Sequence, residues 1–157
     1  MSTSGLSLVD NSGQASNYSI ASASSNITQR PLNLSGSRAY DSTRTASGSD
    51  LSFTNIVSGE TLGLTGSGVL DSPAAGSRTI VNTNTLAISD GSGIATNYTL
   101  TNGTLTMTIV PRPTTVSGTK TYDGTTNVAS SNLISFSNLA GSDTLSLSGT
   151  GTISSAD

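Results

Sequence analysis

The residues best suited to chemistry in this chain lie together in "KTYDGTTNV", Lys120 to Val128. Tyr122 supplies a ring face and a phenol, Asp123 a carboxylate, and Gly124 a point of close backbone approach. Such a trio reads in two ways: as a small binding site, with a sugar ring against an exposed tyrosine, or as a tight turn between two strands. A second, altered copy, "RAYDSTRTA" from Arg38 to Ala46, keeps Tyr40 and Asp41 but has Ser42 where the glycine stands. Serine is costly wherever φ must be positive, so the comparison favours a type I turn whose aspartate accepts backbone N–H bonds. On this reading the tyrosine packs against the sheet, and Arg38 or Lys120 points outward from the preceding strand. Tyr122 and Asp123 remain the candidate ligand contacts.

Other catalytic chemistry is poorly supplied. The chain has no histidine, cysteine or tryptophan, which removes the usual general base, the thiol nucleophile and the commonest zinc ligands. Nine carboxylates are present, but they sit singly in turn-like contexts, and no two are marked as the pair a glycosidase requires. "VDNSG" (9–13) and "SDGSG" (89–93) offer one aspartate each, too few for calcium. The N-x-Ser/Thr sequons at Asn17, Asn26, Asn33, Asn97 and Asn102 are about what chance gives in so Ser/Thr-rich a chain. No enzymatic activity, metal or cofactor is expected.

The elements that would position these residues follow from composition. Charged residues are 10% of the chain, where about 25% is typical, so charge-driven disorder is not the reading. Serine and threonine fill the space, at about a third of the residues. Threonine favours strands, while serine, glycine and asparagine favour turns. The fold class is therefore all-β. A net charge of −3 and no basic run lack the footprint of a nucleic-acid binder. No apolar run approaches the ~20 residues of a membrane-spanning helix, and the opening "MSTSGLSLVD" lacks the shape of a signal peptide.

The chain repeats itself. "LVDNSGQASNYSI" from Leu8 matches "ISDGSGIATNYTL" from Ile88; "RPLNLSGSRAYDSTRTA" from Arg30 matches "RPTTVSGTKTYDGTTNV" from Arg112. "SFTNIVSGETLGLTGSG" from Ser52 matches "SFSNLAGSDTLSLSGTG" from Ser135. All six phenylalanines and tyrosines fall into pairs: Tyr18 with Tyr98, Tyr40 with Tyr122, Phe53 with Phe136. They are expected to be core anchors of one repeated unit. A period near 80 residues suits tandem small β-sandwich, immunoglobulin-like modules. Alternation predicts strands in "TLGLTGSG" (Leu62, Leu64), "TLTMTIV" (Leu105, Met107, Ile109) and "TLSLSGTG" (Leu145, Leu147).

Prolines mark the joins, since "QRP" and "VPRP" occupy equivalent places, each expected just after a strand. On that register residues 1–29 end a preceding repeat, 30–111 form a complete one, and 112–157 begin the next. An alternative register starts near Leu6 and runs to about Thr85. An incomplete repeat would leave an open sheet edge, so the expected partners include neighbouring repeats and head-to-tail strand exchange between copies.

"KTYDGTTNV … GSDTLSLSGTG", "NYTLTNGT" and "VPRP" resemble the YDG-type and mostly-β-glycine-rich repeats of filamentous-haemagglutinin-like bacterial adhesins, which leave the cell by two-partner secretion. The resemblance implies a repeated stalk or spacer of a secreted or surface-exposed adhesin, with extracellular polysaccharide or a host surface as the wider partner. A glycan- or matrix-binding module is the alternative.

Overall fold

The computed structural model describes residues 4–133 and 135–154, which are all-β apart from three-residue 3₁₀ turns. Ten strands lie between residues 30 and 110, the first unit: β1 (Arg30–Pro31), β2 (Leu34–Ala39), β3 (Thr45–Ser47), β4 (Leu51–Phe53), β5 (Leu62–Thr65), β6 (Ser67–Leu70), β7 (Gly76–Asn82), β8 (Ala87–Asp90), β9 (Tyr98–Thr99) and β10 (Thr106–Val110). Four follow: β11 (Thr115–Ser117), β12 (Asn127–Ala129), β13 (Ser135–Ser137) and β14 (Thr150–Thr152).

Six strands form one mixed sheet in the order β3-β6-β7-β10-β2-β4. Its two edge strands are neighbours in sequence, joined only by the 3₁₀ turn Gly48–Asp50, so the sheet must curl until its edges converge. Leu34, Ala46, Leu51, Leu70, Ile80, Leu105, Met107 and Ile109 fill the inside of that curl. β10 shows why: its burial alternates strictly, with Met107 and Ile109 inward and Thr108 and Val110 outward, as a half-solvated strand requires. The β5–β8 pair adds a small second layer through Leu64 and Leu86. With the short parallel pair β1–β9, the ten strands are thus distributed six, two and two.

One pairing sets the course of the chain. β2, the first strand of the sheet, and β10, the last, lie side by side and parallel, with Thr108 opposite Ser37 and Val110 opposite Ala39. The chain therefore enters at one end of this unit and leaves at the other.

Residues 115–152 repeat two strand pairs of the first unit in the same register. Leu34 faces Phe53 in β2–β4, and Val116 faces Phe136 in β11–β13. Ala46 faces Gly68 in β3–β6, and Val128 faces Gly151 in β12–β14. The two pairs remain separate two-stranded sheets, because no strand stands between them where β7 and β10 join the corresponding pairs of the first unit.

That gap explains three departures from the sequence reading. The strand expected at 144–148 is absent: β5 needs β8, and no counterpart of β8 follows Leu145 and Leu147, which are 52% and 42% exposed. No strand precedes Arg30 among the described residues, because a β10-like segment there lacks both of its neighbours. The paired aromatics anchor the core only in the complete unit. Tyr98 is buried and Tyr40 and Phe53 pack on the cluster, whereas Tyr18 and Tyr122 are 71% and 74% exposed. Phe136 is half-buried on β13.

Candidate functional site

The two YD turns are built alike. Asp41 Oδ1 accepts the Thr43 backbone N–H at 2.9 Å and the Thr43 hydroxyl at 2.8 Å, with Arg38 Nη1 2.5 Å away. Asp123 Oδ1 accepts the same two groups of Thr125 at 3.0 and 2.9 Å, with Lys120 Nζ at 2.6 Å. Lys120 holds the Asp123 carboxyl down at about 2, helped by the Thr125 hydroxyl and N–H. Burial pushes Asp41 up, but Thr43 and Arg38 outweigh it and leave that carboxyl lowered as well. Each acid is thus committed to its own turn, which leaves one oxygen per carboxylate for anything else.

Two expectations for this turn are corrected. Ser42 has φ 64° and Gly124 φ 78°, so the third residue is left-handed in both copies and serine bears that strain; the turn is not type I. The network of Asp41, Thr43 and Arg38 over-determines the conformation, as strained residues require. The basic side chains do not point outward either. Arg38 folds back to donate to the carbonyls of Thr43, Thr45 and Ala39, and Lys120 to that of Thr125. Their stems cover the turn while their charges saturate its carbonyls.

The tyrosine of the first turn leads to the second unit. Tyr40 donates its hydroxyl to Asp143 Oδ2 at 2.8 Å, and this bond raises the Tyr40 pKa. A Cβ at Gly141 would come within 2.8 Å of Ser42 Oγ, so the 139–143 turn sits directly on the YDS turn. Pro73, Pro111, Asn138, Ala140 and Leu145 line the cleft of about 420 Å³ beside this contact. Ala140 is buried here, while Val57, its counterpart in the complete unit, is 43% exposed. Residues 38–43 and 138–145 are therefore two halves of a junction between successive units.

A second device holds the chain on the second repeat just after the join. Arg112 Nε donates to the Asn138 carbonyl at 2.8 Å, and Asn138 Nδ2 to the Pro113 carbonyl at 2.8 Å. The complete unit has the same clamp: Arg30 Nε on the Asn55 carbonyl, and Asn55 Nδ2 on the Pro31 carbonyl, both at 3.0 Å. Glu60, the counterpart of Asp143, accepts the hydroxyl of Tyr98 and raises that phenol's pKa. The sequence reading missed Arg30, Arg112, Asn55, Asn138, Glu60 and Asp143. The signal available was their retention in both copies, arginine before proline and asparagine after "SFT" or "SFS".

The profile of the YDG domain family matches residues 26–108 and again residues 105–157. The chain belongs to the YDG domain family. The two matched stretches of YDG sequence meet at residues 105–108, in β10, next to the junction that Tyr40 and Asp143 close. No curated protein and no solved structure matches the chain.

The junction is the built part of this YDG chain. The expected ligand contacts, Tyr122 and Asp123, form an exposed tyrosine beside an acid already held by Lys120 and Thr125. Tyr18 and Tyr98 each follow equivalent 3₁₀ turns, and Phe53 and Phe136 lie on equivalent strands, so neither pair converges on a common point. Among the described residues no three carboxylates gather as a metal site would need.

Proposed function

We propose that this chain is a non-catalytic stalk or spacer region of a secreted or surface-exposed bacterial adhesin of the filamentous-haemagglutinin-like, two-partner-secretion kind. Tandem small sandwich-like YDG modules would project a binding tip and support adhesion or biofilm formation, with neighbouring repeats as their first partners and no nucleic acid among them. The parallel β2–β10 pair carries the reading. A repeat whose first and last strands run the same way adds length with every copy, whereas antiparallel ends would fold the chain back. The Tyr40–Asp143 bond supports it, because it fixes one repeat's orientation on the next. Antibodies against the chain test the location: they should label intact, unpermeabilised cells or the culture medium. Labelling only after permeabilisation would refute it.

The exposure of Tyr122 beside Asp123 favours a second reading, a carbohydrate- or matrix-binding module. Glycan and matrix-polysaccharide arrays test it directly. Binding that disappears on Tyr122→Ala with folding retained would replace the spacer reading; an absence of binding leaves the tyrosine as an uncovered junction residue.

A further inference from the structure

The segment that enters the complete repeat and the segment that leaves it are laced together along their whole length. Gln29 Nε2 donates to the Thr96 carbonyl at 3.0 Å, and Arg30 and Pro31 of β1 lie parallel to Tyr98 and Thr99 of β9. The Leu32 N–H donates to the Thr99 carbonyl at 2.8 Å, and the Leu34 N–H to that of Thr104 at 2.9 Å. Asn33 Oδ1 accepts the Thr104 N–H at 2.8 Å, and the Thr106 hydroxyl donates to the Leu34 carbonyl at 3.3 Å. β2 and β10 then run in register to Val110, whose carbonyl accepts the Tyr40 N–H at 2.9 Å. One ladder thus links residues 29–40 to residues 96–110.

Its place in the sheet protects it. β7 pairs with the far side of β10 and β4 with the far side of β2, so neither of the two strands is an edge. Leu34, Leu105, Met107 and Ile109 are buried on one face, and solvent reaches the β2–β10 ladder from the other face only. Neither strand can be peeled away from outside.

We propose that this parallel ladder is a mechanical lock, which lets the repeat carry tension without unfolding. Tension along the chain draws β2 back toward Arg30 and β10 forward past Val110. Because the strands are parallel, the two pulls oppose each other along the strand axis. The evenly spaced hydrogen bonds between them are then strained together, in shear. Antiparallel terminal strands would be pulled apart from one end, and their bonds would open one at a time. Residues 41–95 lie between the two laced segments in sequence, so none of them is drawn out until the whole ladder gives.

The inference deepens the stalk reading and rests on it for its purpose, since a stalk must keep its length when its tip is pulled. The lock itself is a property of the complete repeat. A pulling measurement therefore succeeds or fails independently of where antibodies find the protein.

Single-molecule pulling on the full chain separates the lock from ordinary stability, because forced unfolding follows the unfolding rate and not the equilibrium. Azide-bearing residues in place of Thr28 and Pro113, both exposed, carry the handles for shear. Handles at Thr28 and Thr96, exposed residues at the common starting end of the ladder, unzip the same bonds one by one. The shear geometry should show one step of about 250 Å, the extended length of residues 34–110 less their folded span. Its rupture force should be about twofold or more above that of the unzipping geometry. Ser37 and Thr108 lie opposite each other and the chain has no cysteine, so Ser37→Cys, Thr108→Cys places a disulfide across the ladder. Oxidised, this variant should lose the long step, and reduction should restore it. A rupture force in shear no higher than in unzipping overturns the proposal. So does a long step that survives the closed disulfide, or a folded double variant that never closes it.

Discussion

The Tyr40 hydroxyl lies 2.8 Å from Asp143 Oδ2, across 103 residues of sequence and across the join between two repeats. It is the most direct polar link between them, and it uses the tyrosine that the YD turn presents in both copies. Tyr40→Phe keeps the ring in the junction and removes only the donor. The variant should fold normally while the angle between repeats spreads, and proteolysis within residues 111–114 should accelerate. Spin-label distances across the junction and limited digestion report the two effects. A junction unchanged in both would assign its rigidity to the cleft lined by Pro73, Pro111, Ala140 and Leu145 instead.

Two glycines of the repeat are fixed by a close approach. A Cβ at Gly36 would lie 1.9 Å from the Asp50 carbonyl oxygen, and one at Gly118 1.5 Å from that of Asn132. In both repeats the glycine lies against the end of the equivalent 3₁₀ turn, Gly48–Asp50 in the first and Ser130–Asn132 in the second. Gly36→Ala should cost about 3 kcal/mol or more, read by urea denaturation. Gly118→Ala, in the repeat with the open sheet, should leave the cooperative unfolding of the complete repeat almost unchanged.

Ser42 occupies the left-handed region at φ 64°. Ser42→Gly relieves a strain of about 1–2 kcal/mol at the cost of greater freedom in the unfolded chain. A net gain of about 0.5–1 kcal/mol is expected, seen as a melting temperature a few degrees higher. A lower melting temperature would mean that the seryl contact with Gly141 outweighs the strain.

Asp123 titrates at about 2 when folded, below the ordinary 3.8. A folded carboxyl depressed in this way stabilises the turn above pH ~4, and that contribution is lost as pH falls through ~4 toward ~2. NMR titration of the Asp123 carboxyl carbon should give a midpoint near 2, and Lys120→Met should move it upward. A midpoint near 4 in the unaltered chain would mean that the Lys120 link is absent in solution.

What could be read from the sequence depended on whether a residue's partner lay within the chain. Leu105, Met107 and Ile109 alternate, and they line the core as expected because β7 and β2 flank them. Leu145 and Leu147 alternate just as clearly, yet no ladder forms, since alternation states a preference for one face and says nothing of the neighbour that must satisfy the backbone. The direction of the β2–β10 pairing left no trace in either strand's pattern. The exchange of Gly124 for Ser42 argued against a positive φ and was misleading: the turn's own hydrogen bonds make the strain affordable at one serine. Asn55 and Asn138 passed as ordinary turn residues because their role depends on arginines more than twenty residues away.

The central claim is that successive repeats extend in line from a fixed junction. Spin labels at Ser52→Cys and Ser135→Cys, equivalent exposed positions of the two repeats, measure the translation between them in magnetically diluted samples. The account predicts a single narrow distribution at about 30–40 Å, the diameter of one ~80-residue unit. A broad distribution, or a peak well below 30 Å from repeats folded back on each other, would contradict it.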